Sequence, residues 1–292
     1  MSLAPMNQRR IIWLASFHKS GNTWTRAFLA NYFAPKGAEV GINELFDEVV
    51  SDVRQDFFDQ AAGRPFRGEA FDDSIVLRPK VQRLIAAAKP GHQFVKTHSK
   101  IGRIGPVDLI LPEVTAAAIY ILRNPFDLAP SYARHSNVPV DRSIENMCDP
   151  KALTASESQI FEVLGRWDDH VASWTGNQGL ALHVMHYEDM AADPERAFRA
   201  LLGFLQAPVN DGKLRRALRR ASFESLQSQE VRQGFRERPD AMERFFVRGK
   251  PGGWRAELTP GQVARIRAEF LPALEKWYPE MLAETEAAAR PA

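Results

Sequence analysis

The chain has 292 residues, 45% of them apolar, 25% charged and 10% aromatic, with a formal net charge of +2 and a single cysteine. That length and balance fit one large α/β domain or two smaller ones, and a net charge so near zero argues against a general nucleic-acid binder. Cys148 alone excludes an internal disulfide framework and a cysteine-based zinc site, which suits a reducing, cytoplasmic compartment. No apolar run reaches the roughly 20 residues that span a bilayer, so no membrane partner is expected. Residues 1–9 lack a signal-peptide core and are expected to be a disordered N-terminus or a cloning remnant ahead of Met6. Charge is unevenly placed. Residues 211–250 hold 11 Lys/Arg against 6 Asp/Glu, and residues 41–74 hold 3 against 9. A local anion site therefore stays open.

In chain order, Ile11-Ile12-Trp13-Leu14-Ala15-Ser16 is a short apolar run that predicts a strand buried on both faces. A loop with Lys19, Ser20 and Gly21 follows, after which Trp24, Ala27, Phe28 and Tyr32 recur at helical spacing. Further strands are expected over 94–97, 116–122 and 180–186, and helices over 78–88, 126–136, 157–175, 194–205 and 211–220. Alternating buried strands and helices predict a three-layer α/β fold: a mainly parallel central sheet flanked by helices, spanning 10–282 as one domain. The Ala/Glu-rich tail 283–292 is expected to fray.

The opening strand–loop–helix is P-loop-like without being a Walker A sequence, because Lys19 precedes the glycine. At such a turn the backbone N–H groups and the positive helix end converge on one spot. Lys19 adds a charge, Ser20 and Thr23 add hydroxyls, and Gly21 lets the backbone come close. A phosphate or sulfate fits there; a capped surface turn is the plainer alternative. A second constellation is Arg123-Asn124-Pro125-Phe126-Asp127, with Ser131 eight residues after Arg123. Arg123 stands where a buried strand stops, as an anion ligand or as an ion pair with Asp127.

These motifs carry a family resemblance. Lys19-Ser20-Gly21-Asn22-Thr23-Trp24 resembles the 5′-phosphosulfate loop of the soluble sulfotransferases. Those enzymes move a sulfuryl group from 3′-phosphoadenosine-5′-phosphosulfate (PAPS) to a hydroxyl or amine. Arg123-Asn124-Pro125 with Asp127 and Ser131 is similar to their 3′-phosphate segment. Tyr187-Glu188-Asp189-Met190, Ser222-Phe223 and Arg248-Gly249-Lys250-Pro251-Gly252-Gly253-Trp254 continue the match in family order, from residue 11 to about 259.

The resemblance implies His98 as general base, Lys19 at the leaving oxygen and Lys96 at the sulfuryl oxygens. It implies Arg123 and Ser131 at the 3′-phosphate, with Ser131 also able to restrain the lysine. Trp24 and Phe223 would sandwich the adenine, with Tyr187 near its edge, and Arg248, Gly249 and Lys250 would close over the 3′-phosphate. PAPS is the implied co-substrate, with no metal. His18, Asn22, Val247 and Gly253 depart from the family's commonest residues. Val247 stands where a phosphate-binding arginine is frequent, and Lys250 is a candidate substitute.

Two rivals belong to other classes. A nucleotide-dependent kinase on the same strand–loop–helix would need Mg²⁺ ligands and a Walker lysine. A non-catalytic nucleotide-binding module would need no base at His98. The partner expected is a small-molecule acceptor. The acidic segment 41–74, with Phe46, Phe57, Phe58, Phe66 and Phe71, forms either a lid over that acceptor or a solvated helical hairpin.

Overall fold

A computed structural model of the protein describes residues 10–36, 38–67, 71–155 and 160–289. Ile11–Ser16 forms β1, buried at all six positions. Its alternation feeds two cores: Trp13 and Ala15 face one side of the sheet, Ile12 and Leu14 the other. The chain continues through α1 (Asn22–Phe33), α2 (Leu45–Glu48), β2 (Val50–Ser51), α3 (Gln55–Ala62), α4 (Phe71–Ala88) and β3 (Gln93–Thr97). Next come β4 (Arg103–Ile104), β5 (Val107–Asp108), β6 (Thr115–Leu122), α5 (Pro125–Ser136) and α6 (Val140–Cys148). They lead to β7 (Leu153–Ala155), β8 (Phe161–Val163), α7 (Trp167–Thr175), β9 (Leu182–His186), α8 (Tyr187–Ala192) and α9 (Pro194–Phe204). The last helices are α10 (Asp211–Arg220), α11 (Phe223–Gln233), α12 (Trp254–Glu257), α13 (Pro260–Trp277) and α14 (Met281–Ala288).

The central sheet has the order β2-β3-β1-β6-β9, and each pairing in it is parallel. Trp13, Val95 and Tyr120 pack under α3, α4, α5, α7 and α13. On the opposite face Leu14, Ile119, Ile121 and Met185 pack under α1, α8, α9, α10 and α11. The three-layer expectation therefore holds. Because the strands are parallel, β1, β3, β6 and β9 deliver their carboxyl ends, and the loops after them, to one edge of the sheet.

Two expectations change. The helix expected over 157–175 starts only at Trp167; Phe161–Val163 is instead a strand, paired antiparallel with Leu153–Ala155, and residues 156–159 lie outside the described residues. An apolar–polar–apolar triplet, Phe161-Glu162-Val163, followed by Gly165 at φ 65° has strand rather than helix character. The tail expected to fray from 283 is helical to Ala288, with Thr285 fully buried against α13; residues 290–292 and 1–9 lie outside the described residues. No helix among the described residues is long and apolar enough to cross a membrane.

Candidate functional site

The turn after β1 is shaped by two residues with left-handed backbone, Lys19 at φ 64° and Gly21 at φ 104°. A side chain at Gly21 would put its Cβ 2.9 Å from the Tyr187 ring, so both dihedral and space demand glycine there. The Asn22 side chain staples the loop to β1 by donating to the Leu14 carbonyl at 2.9 Å and to Ser16 Oγ at 3.3 Å. Ser20 is buried, and its Oγ makes no hydrogen bond among the described residues. A buried hydroxyl left open beside a helix N-terminus is what an anion site needs.

Two cavities meet at this edge. The first, about 1070 Å³ with its open side included, is bounded by Lys19, Gly21, Asn22, Thr23 and Trp24 of the loop and α1. Arg123, Ser131 and Arg134 of the β6–α5 unit, Tyr187, Phe223, Arg248, Gly249 and Lys250 complete its wall. The candidate donor-binding and catalytic residues named from the sequence thus border one cleft except Ser20, which is buried in the loop between Lys19 and Gly21. Six lysines and arginines line it against two carboxylates, Asp127 and Glu257. The second cavity, about 1870 Å³ with its mouth, runs under α2, α3 and the β7–β8 hairpin. Lys19, Lys96, His98 and Phe245 border both.

His98 follows β3 and is 5% exposed. Its Nδ1 lies 2.7 Å from the Ser16 carbonyl, which can only accept, so Nδ1 carries the proton. Nε2 is left without a hydrogen-bond partner among the described residues. Burial, then the neighbouring His18 and Lys96 charges, hold His98 well below its ordinary pKa, so the ring is neutral at pH 7. His170 holds the backbone there: its Nε2 donates to the His98 carbonyl at 3.0 Å, and its Nδ1 accepts from Tyr120 Oη at 2.8 Å. On the other side Thr97 Oγ1 accepts from the Ser99 amide and donates to Asp52.

Lys19 Nζ stands 3.5 Å over the Phe245 ring and pairs with no carboxylate among the described residues. Burial, then repulsion from Arg123 and Arg134, lowers its pKa to about 7. Arg123 does not pair with Asp127. It donates to the Lys19 carbonyl at 2.9 Å and lays its guanidinium 4.3 Å over the Tyr187 ring. Asp127 instead accepts from the Gly252 and Trp254 amides at 2.7 and 3.0 Å, tying the Gly-rich C-terminal turn to the start of α5. Lys96 is engaged: Glu237 accepts from it at 3.3 Å and from Arg26 at 2.6 and 2.7 Å. Burial would raise the Glu237 carboxyl, but Arg26 and Lys96 overcome it and hold the group well below the usual carboxylate range.

Trp24 and Phe223 both border the cleft. The ring of Phe223 is covered on one side by Gly249, at φ 66°, where a Cβ would come within 2.3 Å of it. Arg248 pairs with Glu257 at 2.9 Å, and Arg134 pairs with the same carboxylate. Arg134, Phe245, Glu162 and Glu237 border these cavities and were not anticipated from the sequence. Arg134 had a signal: with Asp127 and Ser131 it repeats at helical spacing on one face of α5. The 41–74 segment is not a solvated helical hairpin, because its aromatic residues turn inward. Phe57, Phe58 and Phe66 are buried in the core, while Phe46, Val53 and Arg54 wall the second cavity.

A family model described as a sulfotransferase domain matches residues 9–278. Cytosolic sulfotransferase 10 of Arabidopsis thaliana is 23% identical over 281 residues, covering 89% of this chain and 76% of that protein. Among solved structures, retinol dehydratase in complex with androsterone and inactive cofactor PAP matches with TM-score 0.63 at 18% identity, over 96% of this chain and 85% of that one. Mouse sulfotransferase SULT7A1 complexed with PAP matches with TM-score 0.59 at 18% identity, over 97% and 90%. At that identity the two structures speak for the fold; the family model spans nearly the whole chain, and the chain belongs to the sulfotransferase family.

Proposed function

We propose that the protein transfers the sulfuryl group of PAPS to a hydroxyl or amine of a small-molecule acceptor, with His98 as general base. One observation carries this reading. The unpaired Nε2 of a neutral, buried imidazole sits where the cationic cleft and the second cavity meet, at an edge that Lys19 and Lys96 also border. The donor would occupy the first cleft and the acceptor the second. The acceptor oxygen attacks sulfur in line while its proton passes to His98 Nε2. The bond from sulfur to the 5′-phosphate oxygen breaks, and 3′,5′-phosphoadenosine (PAP) leaves.

Lys19, the loop amides, the open Ser20 hydroxyl and the Thr23 hydroxyl, which accepts from Arg26 at 3.3 Å, would hold the phosphosulfate, and Lys96 the sulfuryl oxygens. Asn22 contributes its backbone, since its side-chain amide serves the loop. Arg123, Ser131, Arg248, Gly249 and Lys250 would hold the 3′-phosphate, and Trp24, Phe223 and Tyr187 the adenine. No metal has a role in these steps. Radiolabelled PAPS supplied with a panel of hydroxyl and amine acceptors, in the presence of chelator, tests the reading. His98→Ala is expected to lose about 10²–10⁴-fold in rate with PAP affinity unchanged. Equal turnover in the variant would rule out His98 as base, and transfer from ATP in place of PAPS would overturn the donor.

A further inference from the structure

The second cavity contains a carboxylate that the proposed transfer does not use. Glu162 lies in β8, 8% exposed, with its side chain bordering the cavity. One oxygen, Oε2, accepts from Thr154 Oγ1 at 3.1 Å and stands 3.6 Å from His18 Nε2. The other, Oε1, is buried and has no hydrogen-bond partner among the described residues. His18 in turn lies against His98, with ring centroids 4.1 Å apart and planes tilted by 32°, so the carboxylate stands one imidazole ring removed from the proposed base. An orphaned buried carboxylate oxygen calls for a donor, and in a substrate cavity the substrate is the natural source.

The surroundings choose among donors. Lys19, Arg26, Arg54, Lys96, Arg236 and Arg238 border the cavity against Glu162 and Glu237, a field that disfavours a cationic amine. A neutral hydroxyl meets no such penalty. The walls are aromatic: Tyr132 stacks parallel to His18 at 5.7 Å, and Phe46 and Phe245 also line the cavity. We propose that Glu162, held by Thr154 and His18, is an acceptor-specificity residue that receives a second hydroxyl beside the reacting one, so that the preferred acceptors are aromatic 1,2-diols. One hydroxyl of such a ring gives its proton to His98 Nε2 while its neighbour donates to Glu162 Oε1. This rests on the sulfotransferase reading and specifies its acceptor.

Binding to the PAP-loaded protein separates the two. Calorimetry with PAP alone comes first; wild-type protein that takes up no PAP overturns the donor reading and this proposal with it. Catechol, phenol and 2-methoxyphenol are then titrated into the PAP complex. Wild-type protein is expected to bind catechol at least tenfold more tightly than either monohydroxyl ring, the scale of one hydrogen bond to a charged acceptor. Glu162→Gln, which keeps the shape, is expected to reduce that preference to a few-fold, and Glu162→Ala to abolish it, both with PAP affinity retained. Equal affinities for the three rings in wild type overturn the proposal while leaving sulfuryl transfer standing. So does a catechol preference that survives in Glu162→Ala, the outcome if a water satisfies Oε1.

Discussion

Lys19 is a cation held in a place that does not favour cations, and on the proposed reading its proton becomes a measurable part of donor binding. Burial and the repulsion of Arg123 and Arg134 bring its pKa to about 7 before any anion arrives. At pH 8 roughly one molecule in ten carries the Lys19 charge. A phosphate placed against Nζ reverses the balance and favours the ammonium, so binding of PAP should draw in close to one proton. Protonating Lys19 first costs about 1.4 kcal/mol at pH 8, and the PAP dissociation constant should rise about tenfold per pH unit above neutrality. The sign follows from a depressed lysine pKa: the charged form is lost as pH rises through about 7, and affinity goes with it.

Two histidines at this edge stay outside that window. His98 is held well below its ordinary pKa and His135 is lowered to about 2, chiefly by burial, so neither is near its titration at pH 8. The ligand's phosphate monoesters, with second pKa about 6, are already dianions. Calorimetry at pH 8 in buffers of different ionisation enthalpy reads the proton count directly. Lys19→Arg, whose guanidinium stays charged, should bind PAP with no proton uptake and a flat pH profile from 7 to 9. Wild-type protein that takes up no proton at pH 8, or binds PAP equally at pH 7 and 9, would refute the electrostatic account of Lys19.

Two further substitutions test the frame around the site. Gly249→Ala places a Cβ into the Phe223 ring at a backbone φ of 66°; it should weaken PAP binding by about tenfold with little change in melting temperature, and an unchanged affinity would show that Phe223 and its loop do not contact the nucleotide. Asp52→Ala removes the partner of Arg78, both side chains being fully buried and 2.9 Å apart, and also the acceptor of Thr97 Oγ1 beside His98. Stability measured by urea unfolding should fall by about 3–5 kcal/mol, and a loss below about 1 kcal/mol would contradict the buried pairing.

The scaffold was legible where burial alone sets the pattern. Ile11–Ser16 can only be a strand covered on both faces, and the helices at 125–136 and 211–220 carry their own caps, Asn124 and Asn210. The strand-end residues Lys19, His98 and Arg123 were legible because parallel topology sends those ends to one edge. Val50–Ser51 was not, since two residues have no periodicity and pair only because β3 is already there. Glu162 was lost inside a misassigned helix, and a residue's face means nothing until its element is known. Glu237 and Phe245 lie in irregular chain between α11 and α12, where only long-range packing decides what they meet.

The cations at this edge are not equivalent, and the difference bears on how a site this positive avoids filling with any small anion. Lys96 is engaged by Glu237, and Arg134 and Arg248 share Glu257, whereas Lys19 and Arg123 pair with no carboxylate among the described residues. A free sulfate at Lys96 would sit beside the Glu237 carboxylate, which Arg26 holds in place with two hydrogen bonds. Repulsion there offsets much of the attraction from Lys96. A donor anchored by its nucleoside and 3′-phosphate brings binding energy from elsewhere in the cleft, and that energy can hold a sulfuryl group against the same carboxylate. On the proposed reading, then, the paired cations act chiefly on a group that other contacts deliver, and the unpaired Lys19 and Arg123 do the initial capture. Selectivity for the whole donor over its inorganic fragments follows from which charges are already spoken for.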